Sequence, residues 1–162
     1  MKGRLAGLAA VVVTVTLTSV AAAGPAVTKQ RVVVTSKLIP QKTFVLTPST
    51  AGALKLDSGT VSVLSGNPRN TMRNGQRVSI FPKNVYTFSG KRGSFTVRER
   101  TEWVDVSNVN TKYGFPPGVG IGTWTLVRGT GQYAGVTGGG RSGHAGLGSP
   151  WLAQHEGFLT AP

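Results

Sequence analysis

Residues 85–106, VYTFSGKRGSFTVRERTEWVDV, alternate in character on both sides of Gly90-Lys91-Arg92-Gly93. Successive side chains of a strand point to opposite faces of its sheet, so such a run buries one face and wets the other. Glycines around a tight turn supply the backbone freedom that reversal needs. The segment therefore predicts a β-hairpin. On its second arm Phe95, Val97, Glu99, Thr101, Trp103 and Asp105 share one face, while Thr96, Arg98, Arg100, Glu102 and Val104 share the other. The first face is mostly apolar and belongs to a core; the second carries charges of both signs. Glu99 stands out, because alternation puts its carboxylate among Phe95, Val97 and Trp103.

The same strand chemistry recurs through the chain. Runs at 31–36 (RVVVTS), 43–47 (TFVLT), 60–64 (TVSVL), 76–81 (QRVSIF), 122–128 (GTWTLVR) and 156–160 (EGFLT) are separated by Gly, Pro, Asn and Ser punctuation. Residues 111–120, with Pro116-Pro117, read as a loop. No stretch keeps a 3.6-residue apolar period, and 49–56 is a weak helix candidate. About eight short strands joined mostly by hairpins point to an all-β barrel or sandwich, and closure of a barrel would also protect the strand edges.

Composition narrows the class. The chain has 162 residues, of which 39% are hydrophobic, enough for one core of ordinary single-domain size. With no cysteine, disulfide scaffolds, thiol nucleophiles and Cys-based zinc sites are excluded. Eighteen Lys and Arg against five Asp and Glu give a formal charge of +13. At the N-terminus Lys2 and Arg4 precede an apolar stretch at 5–20 and the small residues Ala21-Ala22-Ala23. This is the pattern of a secretory signal peptide, 1–23, followed by a linker at 24–30 and a barrel domain at 31–162. Loss of the two leader cations would bring the charge to +11, and the chain is expected to be secreted, without a membrane span in its mature part.

Residues 129–148 hold nine glycines in twenty positions. Read as strand chemistry, 122–128 runs into a turn at Gly129-Thr130-Gly131, Tyr133 packs back, and Gly135, Gly138 and Gly140 let the next strand coil at a barrel corner. The run 122–141, GTWTLVRGTGQYAGVTGGGR, with Glu156-Gly157-Phe158 after it, resembles the G-x-W-x-L…G-T-G-x-Y/F-x-G-x-x-G-x-G signature of allene oxide cyclase-like and dirigent-like barrels. With the hairpin from Tyr86 to Val106, the likeness covers about half of the mature chain. It implies a single eight-stranded antiparallel β-barrel, a cavity able to host an apolar molecule, and a homo-oligomer as one option, since related barrels form dimers or trimers. The families' site residues cannot be matched here position by position, so the resemblance carries no activity over.

Four candidate sites follow from the residues. The glycine run lacks G-K-[ST] and a following helix, so it reads as turn geometry rather than a phosphate loop. His144, His155 and Glu156 could do metal or acid–base work, but two His eleven residues apart form a weak metal pattern, and loop histidines are the expected reading; no metal and no cofactor is assigned. Glu99 is the candidate catalytic group, and Tyr86, Phe88, Glu99, Trp103 and Trp124 are the candidate lining of a ligand pocket. A bulge returning Glu99 to water is the competing reading. Arg69, Arg73, Arg77, Lys91 and Arg92 are the densest basic groups and the candidates for an anionic cell-envelope polymer; sequence-specific nucleic-acid binding is not expected. The leading function is a non-catalytic secreted binding barrel, for a small apolar ligand or for such a polymer. The alternatives are a cyclase or isomerase with Glu99 in an aromatic-lined cavity, and a ligand-free surface protein.

Overall fold

The computed structural model describes residues 27–106, 117–146 and 151–162. The signal-peptide reading at 1–23 lies outside them, as do 111–116 of the expected loop. Among the described residues nine strands form one antiparallel sheet: β1 (Thr28–Ile39), β2 (Thr43–Pro48), β3 (Asp57–Leu64), β4 (Arg69–Arg73), β5 (Gln76–Gly90), β6 (Gly93–Asp105), β7 (Gly118–Gly129), β8 (Thr137–Gly146) and β9 (Trp151–Ala161). The order β3-β2-β1-β9-β8-β7-β6-β5-β4 is joined into a ring by pairing of β3 with β5. Eight strands thus make an up-and-down barrel, and β4 is an extra strand hairpinned onto the first half of β5.

Four sequence expectations change. β1 begins at Thr28, so the end of the expected linker is strand. Residues 49–56 form bends rather than a helix: Leu54 is buried there, and Gln30 holds its backbone by accepting from Leu54 N–H at 2.7 Å. Gly118–Gly120 belong to β7 rather than to a loop. The two runs 76–81 and 85–90 are one strand, broken in register at Pro82-Lys83. That irregularity switches parity, so Ser79 and Phe81 face Trp103 and Thr101, whereas Asn84, Tyr86 and Phe88 face Glu99, Val97 and Phe95. Asn74-Gly75, both with positive φ (51° and 76°), close the β4–β5 turn, where Asn and Gly accept that conformation most cheaply.

The barrel is filled at one end and hollow at the other. At the filled end Phe88 stacks on Phe95 at 4.6 Å, Phe44 meets Phe88 edge-on at 5.2 Å, and Tyr133 lies 4.6 Å from Phe95. Leu46, Leu54 and Leu159 complete this plug. Tyr133 follows the β7 turn, as its packing role predicts, and donates its hydroxyl hydrogen to Asp57 at 3.0 Å. Asp57 also accepts from Lys91 N–H, tying the β5–β6 turn to the same end.

Candidate functional site

Inward positions on β6, β8 and β9 bring three ionisable side chains together just under the hollow half. Glu99 sits on β6, flanked in register by Asn84 on β5 and Trp124 on β7. On β8 the alternation buries Ser142, His144 and Gly146; on β9 it buries Ala153, His155, Gly157, Leu159 and Ala161. All three groups are essentially sealed from bulk water, at 1%, 6% and 1% exposure for Glu99, His144 and His155. β7 leaves them room, because the inward positions ahead of Trp124 and Leu126 are glycines: a Cβ at Gly118 or Gly120 would collide with Trp103, and one at Gly122 would press on the Arg100 carbonyl, Ser142 and Glu99.

The carboxylate is shared. His144 Nε2 lies 2.7 Å from Glu99 Oε1 and His155 Nε2 lies 2.6 Å from Oε2, while Thr101 donates its hydroxyl hydrogen to Oε1. Burial alone pushes the Glu99 carboxyl up, but the hydrogen bonds from His144 and His155 outweigh it and hold the group well below the usual carboxylate range. The carboxylate is therefore ionised, and an ionised carboxylate only accepts, so both rings carry their proton on Nε2. Burial drives the His155 imidazole down, with Glu99 opposing in part, so it is neutral at physiological pH. Its Nδ1 is sealed and unpartnered. Burial, reinforced by the nearby Glu99 charge, keeps the Tyr86 phenol protonated far above its ordinary range.

Above this cluster opens a cavity of about 520 Å³. Its walls are Leu38, Val63, Phe81, Trp103 and Trp151, its floor is Asn84, Tyr86, Thr101 and His144, and Lys42, Arg77 and Asp105 lie among its lining. Of the expected pocket residues, Tyr86 and Trp103 do line it. Phe88 lies in the aromatic plug, and Trp124 is core, donating its indole N–H to the Arg141 carbonyl at 2.9 Å. Glu99 sits behind the floor instead of in the wall, so the cavity meets it through His144 and Thr101. Its inward position excludes the bulge that would return it to water.

The histidines overturn the loop expectation, since both are buried strand residues. Glu156, by contrast, points outward and pairs with Arg31 on the barrel surface. The signal for His155 was in the sequence: in 151–161, WLAQHEGFLTA, it shares parity with Ala153, Leu159 and Ala161. The short, glycine-rich neighbours of His144 hid the same alternation there. The donor atoms of Glu99, His144 and His155 lie within 4.8 Å of one another, close enough in principle to hold a metal ion. The hydrogen-bonded arrangement fits a metal poorly. Coordination would strip both Nε2 protons and leave His155 Nδ1–H sealed without an acceptor, whereas metal-bound His normally donates from its second nitrogen.

The basic candidates do not form one patch. Arg69 and Arg73 lie on β4 and Arg77 lines the open end, while Lys91 and Arg92 lie in the β5–β6 turn at the filled end. Arg73 is already bonded to Glu102 at 2.9 Å, Arg77 faces Asp105 at 3.9 Å, and Arg92 Nε donates to the Leu56 carbonyl. Comparisons with known protein families, with curated proteins and with solved structures return no match for this chain.

Proposed function

We propose that this chain is an exported binding barrel that takes one small, largely apolar molecule in its open half, with a polar end of the ligand on the floor. The observation that supports this most is the half-hollow lumen: about 520 Å³, walled by Trp103, Trp151, Phe81, Leu38 and Val63 over a polar floor. That volume lies within the range of small-molecule sites, and an apolar wall with few polar groups is their usual composition. A ligand-free surface protein has no need of the hollow, and filling it with side chains would add packing energy. The polymer reading is the weaker one, because the basic groups sit at opposite ends and Arg73 and Arg77 already face carboxylates. The resemblance to allene oxide cyclase-like and dirigent-like barrels is in keeping with a cavity function, and we extend it no further than that.

The test is titration of the purified chain with 2-naphthol, an apolar ring system with one polar end. Binding should quench part of the tryptophan fluorescence, since Trp103 and Trp151 line the cavity and Trp124 does not. Val63→Trp, which fills the rim, should abolish the quench without changing the fold. Equal quenching in both proteins would place the ligand elsewhere and end the proposal.

A further inference from the structure

A cavity that only binds needs walls and one polar anchor. It does not need an ionised carboxylate buried behind two imidazoles, an arrangement whose desolvation has to be offset by hydrogen bonds. We infer that the floor is an acid–base device for moving a proton next to a carbonyl group, with His144 as the base and Tyr86 as the hydrogen-bond donor to the carbonyl oxygen; this rests on the ligand-binding reading above. The ligand class is then an apolar ketone or enone with a hydrogen on the carbon beside its carbonyl.

The geometry assigns the roles. Glu99 takes the Nε2–H of His144, so in the neutral ring the bare nitrogen is Nδ1, an acceptor. His144 is the one member of the Glu99, His144, His155 set that lines the cavity, and its Nδ1, unlike that of His155, is not among the sealed atoms. Tyr86 lies beside it, with ring centroids 6.1 Å apart and planes inclined by 30°, and it also lines the cavity. Its phenol keeps its proton, so it donates. A base and a donor side by side under an apolar wall are the two groups that enolisation requires.

The step balances without any other reactant. His144 Nδ1 takes the proton from the carbon beside the carbonyl, the C–H electron pair becomes a C=C bond, and the carbonyl π pair moves onto oxygen, where Tyr86 O–H meets the negative charge. The imidazolium then returns the proton to the same carbon, or in an enone to the far end of the conjugated system, which shifts the double bond. Glu99 acts as a positioning residue: it fixes the His144 tautomer and stabilises the imidazolium once formed. His155 and Thr101 hold the carboxylate in place. The titratable and charged groups facing His144 are thus Glu99, His155 and Tyr86, with Lys42, Arg77 and Asp105 farther up the cavity.

The experiment follows exchange of the hydrogens beside the carbonyl of 1-tetralone for deuterium, by proton NMR in D2O, with binding of 1-tetralone measured separately by tryptophan quenching. The native chain should accelerate exchange by roughly a hundredfold or more over buffer, as expected for a positioned base. His144→Gln should return exchange to the buffer rate, and Tyr86→Phe, which keeps the ring in place, should slow it at least about tenfold while binding changes by less than about threefold. Glu99→Gln should shift the pH–rate profile, which a merely structural residue would not do. Bound 1-tetralone exchanging at the buffer rate would overturn the acid–base inference and leave the binding reading standing. Absence of 1-tetralone binding would remove both for this ligand class. One equivalent of zinc retained by the native chain and lost in His155→Gln would also overturn it, by making the cluster a metal centre.

Discussion

Replacing Glu99 by Gln keeps the side-chain shape while removing its charge and one of its two acceptor oxygens. In the native protein Oε2 accepts from His155, and Oε1 accepts from His144 and Thr101. The Gln amide nitrogen must occupy one of those positions, where it meets an N–H unless the imidazole moves its proton to Nδ1. At His155 that moves a donor into a sealed position with no acceptor, costing about 1–3 kcal/mol. The bonds that survive become neutral, at a further loss of about 1 kcal/mol each. Removing a buried charge returns part of this, so the net destabilisation is about 2–4 kcal/mol. For a domain of this size that corresponds to a fall in melting temperature of roughly 10 °C. Urea unfolding at about pH 7.5, followed by circular dichroism and tryptophan fluorescence, should show a lower midpoint at unchanged slope. A variant as stable as the native chain within about 0.5 kcal/mol, or more stable, would mean that the carboxylate is not the ionised hub of the cluster.

Two further outcomes follow from the same structure. The His155 pKa is lowered in the fold, so below its ordinary value of 6.5 the unfolded chain binds a proton that the native state refuses. Stability should then fall as pH drops below 6.5, by about 1.4 kcal/mol per unit until the native pKa is reached, and Glu99 should add a second loss below its ordinary 4.5; urea midpoints across this range check it, and His155→Gln should flatten the upper part. On β8, Gly140→Ala should cost about 1–3 kcal/mol because its Cβ would run into the Glu156 carbonyl oxygen of β9, whereas Gly143→Ala, whose Cβ meets nothing within 4 Å, should change stability by less than about 0.5 kcal/mol.

Much of the architecture was legible because strand alternation is a local property. The 85–106 hairpin, the inward face of β6 and the turn role of Tyr133 all follow from the period of two and from glycine placement. Glu99 was visible as an anomaly for the same reason. What local pattern could not supply was the partner across the lumen. His144 and His155 meet Glu99 because the consecutive strands β6 to β9 curl into a ring that β3 closes on β5, and because glycines of β7 leave space, a curvature that alternation along one strand does not carry. The register break at Pro82-Lys83 was likewise hidden, since it reverses which residues of β5 face inward. The two basic groups were already separate along the chain, and the barrel places them at opposite ends, which no local pattern shows.

The central claim is that one ionised carboxylate under an open cavity holds a proton on Nε2 of both imidazoles. Long-range proton–nitrogen NMR of the two histidine rings measures it directly. The account predicts that at about pH 7.5 each ring shows a protonated Nε2, and that His155 keeps this pattern on acidification to below its ordinary 6.5. A bare Nε2 on either ring, or a His155 that becomes an imidazolium near 6.5, would contradict it.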